Sequence, residues 1–131
     1  MYMPPGFNTV TPYCFIEDAA GFVRFLVDGL GGVETGRTLR DDGKIQNAQV
    51  KLGTSMLMVS EAGGPFGAMA ASYYLYVEDA HASMERALAS GATLVSAVGD
   101  RSYGDRQGGV RDAYGNIWWI SQRLVEEPYE T

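Results

Sequence analysis

The apolar positions of the chain change period twice, in the same order each time. The run Tyr13-Cys14-Phe15-Ile16 reads as a short strand ending at Glu17-Asp18. Beyond it Phe22, Val23, Phe25, Leu26 and Leu30 recur at helical spacing, with Asp18 placed as the N-cap and Gly29, Gly31 and Gly32 closing the helix. Three strand-like runs follow, 33–39, 45–52 and 55–60, punctuated by Asp41-Asp42-Gly43 and Gly53-Thr54. The same grammar then returns. Ser72-Tyr73-Tyr74-Leu75-Tyr76-Val77 reads as a strand, and Ala80, Met84, Ala87 and Leu88 follow the N-cap Asp79 at helical spacing up to Gly91. Runs at 93–98, 107–112 and 116–121 complete the set, with Tyr114-Gly115-Asn116 as the last turn.

Aligned, Tyr13 meets Tyr74, Ile16 meets Val77, and Glu17-Asp18-Ala19 meets Glu78-Asp79-Ala80, an offset of 61 residues from Thr11 to Ser72. The pattern predicts an α+β fold of tandem βαβββ modules, forming a curved, cup-shaped mixed sheet with helices on its convex face. One domain over residues 1–131 is expected, with a first module at about 9–60, a Gly-rich linker at 61–70 and a second module at about 71–122. The ends, 1–7 and 124–131, read as tails available to a partner.

Strand alternation divides the two faces. The aliphatic phase, including Cys14, Ile16, Ala48, Val50, Leu52, Leu75 and Val77, is assigned to the helix side. The other phase lines the cup: Tyr13, Phe15, Asn47, Gln49, Met58, Tyr74, Tyr76 and Trp119. Such a lining is aromatic and amide-rich, without carboxylate or histidine, which is the make-up of a small-molecule site. Arg111 is expected at the cup mouth, as a cation for a carboxylate or phenolate ligand.

Composition narrows the function classes. A net charge of -6 with no dense Lys/Arg block argues against nucleic acid and anionic membrane surfaces. The single cysteine, Cys14, excludes an internal disulfide and reads as core. Residues 1–8 lack a signal-peptide pattern and no apolar run is long enough to span a bilayer, so a cytoplasmic location is expected. His81, the only histidine, falls on the surface of the second helix. Asp105 and Arg106 are expected in a loop, as a surface or dimer ion pair or a ligand clamp.

These features resemble the vicinal oxygen chelate superfamily, which includes glyoxalase I, bleomycin-resistance proteins and extradiol dioxygenases, and within it the PhnB-like branch. The resemblance spans about residues 9–121 and is carried by Thr11-Pro12-Tyr13…Glu17-Asp18-Ala19, by Asp42-Gly43-Lys44-Ile45…Ala48, and by the run from Tyr103 to Trp118. That last run is similar to the branch's GDR…G…DPFG…W signature, with Ala113 where the proline would be. In the superfamily's enzymes a divalent metal is held by four strand positions, which fall here on Thr11, Met58, Ser72 and Trp119. The frequent His-x-Glu of the branch is replaced by Asn47 and Gln49. Weak hydroxyls, a thioether and an indole do not make a site for a hard or borderline ion. The resemblance therefore implies a member with no metal ligand and no cofactor. By the same resemblance it is expected to bind a planar or aromatic small molecule, as the drug-sequestering members do, and to be a homodimer. Two alternatives stand beside this: a lyase, isomerase or dioxygenase of the same superfamily, and a homodimeric interaction module without ligand.

Overall fold

The computed structural model describes residues 1–130. The chain divides into two compact units, with the boundary between Ala70 and Ala71. In the first, β1 (Tyr13–Ile16) leads into α1 (Ala19–Asp28), then β2 (Val33–Leu39), β3 (Ile45–Leu52) and β4 (Ser55–Glu61). In the second, β5 (Ser72–Tyr76) leads into α2 (Ala80–Ala89), then β6 (Thr93–Asp100), β7 (Asp105–Arg111) and β8 (Ile117–Arg123). Each unit builds its own four-stranded sheet, in the orders β1-β4-β3-β2 and β5-β8-β7-β6. The first strand of each unit pairs parallel with the last, and the other pairs are antiparallel. The two sheets thus share one topology, as the repeat predicts. Among the described residues no helix is long and apolar enough to cross a membrane.

Each helix begins where the sequence places it. The Asp18 side chain accepts from the Gly21 N–H at 3.2 Å, and Asp79 accepts from Ala82 at 3.1 Å. Asp18 does so with φ at 69°, a left-handed conformation that aspartate tolerates better than most residues. A second acceptor reinforces each start from the last strand of the unit. The buried Glu61 carboxylate takes the Asp18 and Ala19 N–H groups at 3.0 and 2.9 Å. Its repeat counterpart Gln122 takes the Ala80 N–H at 3.0 Å. A negative or partly negative oxygen at a helix N-terminus satisfies orphan donors and complements the helix dipole. Glu61 was assigned to the linker; it instead ends β4 and anchors α1.

The helix-facing core follows the predicted phase. Cys14, Ile16, Ala48, Val50, Leu52 and Val59 are buried with Phe22, Val23, Phe25 and Leu26 of α1. In the second unit Val110, Trp118 and Ile120 are buried with Ala80, Met84 and Ala87 of α2. Gly108 lets that helix approach: a Cβ there would stand 2.9 Å from the Met84 methyl. The β7–β8 turn is locked by Asp112, which accepts from the Tyr114 and Asn116 N–H groups at 2.9 and 3.0 Å and from the Trp118 indole at 2.9 Å. Trp118 in turn stacks on Tyr73, with ring centroids 4.4 Å apart. Asp112 and Trp118 of the signature-like run therefore hold the turn and the core.

Candidate functional site

The open face of the first unit, opposite α1, carries a groove of about 610 Å³ whose lining includes Tyr13, Phe15, Phe66, Ser60, Gln46 and Arg40. Its wall is a file of rings. Tyr13 stacks on Phe15 at 4.9 Å, and Phe15 stacks on Phe66 at 5.4 Å with only 15° between planes. Alternation on β1 puts Tyr13 and Phe15 on one face. Phe66 arrives from a tight Gly63–Phe66 bridge that folds back over β1, where the Met69 N–H also bonds the Phe15 carbonyl at 3.1 Å. Polar groups sit at the foot of this wall. Ser60 donates to the Gln46 carbonyl at 2.6 Å, which commits its single proton, so the Tyr13 hydroxyl, 2.9 Å from Ser60, is the donor to it. Arg40, at the groove edge, donates to the Glu61 carbonyl at 2.9 Å.

Of the expected lining in this unit, Tyr13 and Phe15 meet in the groove. Asn47, Gln49 and Met58 are half-buried; Gln49 and Met58 pair in register on the open face, away from the groove walls. Strict alternation from Asn47 would turn Gln46 away from this face. A bulge makes the difference: Thr38 pairs with Asn47 and Leu39 with Ile45, so Gln46 is the extra residue and turns into the groove. Phe66, Ser60 and Arg40 were not anticipated. A lone aromatic within Gly63-Gly64-Pro65-Phe66-Gly67 was the available signal for the first of them.

The open face of the second unit is of a different kind. At its centre is Asp105, fully buried, on the first residue of β7. Its carboxylate receives Tyr74 through a very short hydrogen bond, Ser121 at 2.9 Å, Tyr129 at 2.6 Å and the Arg123 guanidinium at 2.9 Å. Tyr76 bonds Tyr129, oxygen to oxygen, at 2.7 Å, and the Arg123 guanidinium lies 4.1 Å from the centre of the Tyr129 ring. Burial by itself would raise the Asp105 pKa. The hydrogen bonds from Tyr129, Tyr74, Arg123 and Ser121 outweigh it and bring the pKa down to about 2. Burial, and then the hydrogen bond that each gives to Asp105, push the Tyr74 and Tyr129 phenols up.

Several expectations change here. Asp105 and Arg106 are not in a loop and do not pair with each other. Both lie in β7; Asp105 pairs with Arg123, and Arg106 pairs with Asp100 at 2.7 Å. The open face is therefore not free of carboxylate. Nor is the segment after β8 a loose tail: the Leu124 N–H bonds the Gly104 carbonyl at 2.9 Å and Tyr129 reaches Asp105. Tyr74 and Tyr76 belong to this network as expected face residues, whereas Arg111 is exposed at the opposite end of β7 from Asp105. Trp119 lies flat across Gly109, where a Cβ would come within 2.8 Å of the ring.

The four positions that the resemblance assigns to metal ligands hold no such set. Thr11 donates to the Asn8 carbonyl at 3.3 Å, and Met58 offers a half-buried thioether. The Trp119 indole donates to the Ser72 hydroxyl at 3.0 Å, so two of the positions are occupied with each other. Among the described residues no three of His, Cys, Asp and Glu converge in a way that fits a metal ion.

Comparison with known proteins places this architecture. No family model matches the chain. An uncharacterized protein of Mycobacterium bovis is 32% identical over 128 residues, covering 89% of this chain and 84% of its own length. Among solved structures, TioX from Micromonospora sp. ML1 superposes with a TM-score of 0.73 at 26% identity, covering 88% of this chain and 99% of TioX. TnmS3, an antibiotic binding protein from Streptomyces sp. CB03234, gives 0.71 at 17% identity, over 94% and 98% of the two chains. A glyoxalase/bleomycin resistance protein/dioxygenase family enzyme from Burkholderia phytofirmans gives 0.62 at 17% identity, over 86% and 95%. The doubled βαβββ topology of this chain is thus the fold shared by TioX, TnmS3 and the glyoxalase/bleomycin resistance protein/dioxygenase family enzyme.

Proposed function

We propose that this protein is a metal-independent binder of a small, planar aromatic molecule. The observation that carries the reading is the ring file Tyr13–Phe15–Phe66 along a groove of about 610 Å³. That volume suits a drug-sized or smaller ligand. A ring laid on the file gains stacking of about 0.5–1.5 kcal/mol per pair beyond simple burial. Ser60, Gln46 and Arg40 would orient it through hydrogen bonds at the groove's polar side. The residues at Thr11, Met58, Ser72 and Trp119 favour binding without a metal. TnmS3, an antibiotic binding protein, uses the same fold, which supports sequestration of such a molecule as the purpose. The superfamily resemblance extends the proposal to a homodimer, for which light scattering is the check.

A thermal-shift screen of planar aromatic compounds, repeated on Phe15→Ala, tests the proposal. A hit that stabilises the native chain and loses most of its effect in the variant supports it. No stabilisation across a broad panel contradicts it.

A further inference from the structure

The second open face holds a ring that is not part of its sheet. Tyr129 comes from the segment after β8, where residues 124–130 are all exposed and form no strand or helix. Its phenol nevertheless makes three specific contacts: it donates to the buried Asp105 carboxylate at 2.6 Å, lies 2.7 Å from the Tyr76 hydroxyl, and presents its ring to the Arg123 guanidinium at 4.1 Å. With the Tyr129 proton given to Asp105, Tyr76 is the donor between the two phenols. The receiving groups are all in place on the sheet without Tyr129. Asp105, Tyr74, Ser121 and Arg123 are bonded to one another across β5, β7 and β8. The segment is otherwise held by the Glu127 carbonyl on Arg123 at 2.5 Å, by Val125 against Gly104, and by a tilted contact of the Tyr129 ring with Tyr103 at 6.4 Å, all of them at exposed positions of the segment.

We propose that this face is a binding site for a phenol, and that Tyr129 fills it as a displaceable internal stand-in. A ligand ring bearing a hydroxyl would donate to Asp105, accept from Tyr76 and stack on Arg123, contact for contact as Tyr129 does. A protonated phenol is required, because Asp105 is an acceptor and would repel a phenolate. A ring whose oxygen is methylated has no proton to give and leaves the buried carboxylate one donor short. The inference rests on the proposed aromatic-binding function and gives a second site its ligand chemistry. An internal occupant lowers apparent affinity by the fraction of time it leaves the site open.

The test is titration of p-cresol and of 4-methylanisole into the full chain, its Tyr129→Phe and its Tyr129→Ala variants, followed by NMR shifts of the Tyr74, Tyr76 and Asp105 resonances. The expected result is p-cresol affinity rising from the native chain to Tyr129→Phe to Tyr129→Ala, by about tenfold overall. 4-Methylanisole should stay weak throughout, and adding Asp105→Asn to Tyr129→Ala should abolish the gain. Tyr129→Phe keeps the ring packed, so a folding defect cannot mask the trend. Equal p-cresol affinity in all three chains, or no discrimination between the two probes in Tyr129→Ala, overturns the inference. If planar aromatics still bind at Phe15 in that event, the proposed function stands and only the phenol site falls. If neither Phe15-dependent binding nor p-cresol binding is found, both fall.

Discussion

Asp105 shows how one buried charge organises a face. A carboxylate with no exposure persists in a protein only when donors surround it, and here three hydroxyls and a guanidinium do so. Its pKa, about 2 in the folded chain against 3.8 ordinarily, makes the site acid-sensitive. The unfolded chain takes up the proton more readily than the folded one. The stability this site contributes is therefore complete above pH 3.8 and is lost as pH falls toward 2. Unfolding curves across that window should show the loss, and Asp105→Asn should flatten it. At the alkaline end the raised Tyr74 and Tyr129 phenols predict that two of the eight tyrosines ionise late in a spectrophotometric titration. Asp105→Asn should bring both back toward the ordinary range. The sequence offered little warning of this cluster. An Asp-Arg pair beside a glycine reads as surface, and the partners Tyr74, Ser121, Arg123 and Tyr129 are scattered along the chain. Only the fold brings them to one carboxylate.

At the scale of elements, the repeat made most of the architecture legible. Asp18 and Asp79 mark helix starts, Gly43, Gly53 and Gly115 mark turns with positive φ, and the matching offset fixes which strands correspond. Alternation failed where a bulge inserted Gln46, because period-two counting cannot register an extra residue. It also could not show that Glu61 and Gln122 reach from the last strand to the helix N-terminus. Glu61→Ala leaves two N–H groups without their acceptor and should cost about 1–3 kcal/mol in urea unfolding, while Glu61→Gln, which keeps an acceptor oxygen, should cost less. Gly109→Ala drives a methyl against the Trp119 ring and should cost about 1–3 kcal/mol by the same measurement.

Across the whole molecule, one topological unit has been used twice to make two unlike faces. The first unit stacks Tyr13, Phe15 and Phe66 along an open groove; the second surrounds a buried carboxylate with phenols and covers it with Tyr129. At Thr11, Met58, Ser72 and Trp119, which the repeat offset relates in pairs, the two units carry hydroxyls, a thioether and an indole. The central claim, aromatic binding without a metal, meets its most direct test in calorimetric titration of the best planar aromatic from the thermal screen into protein stripped with EDTA and checked for residual metal. The account predicts saturable binding of unchanged affinity after stripping, weakened at least about tenfold by Phe15→Ala, since one stacking partner and its buried surface are lost. Binding that disappears with EDTA and returns on adding a divalent ion would contradict it.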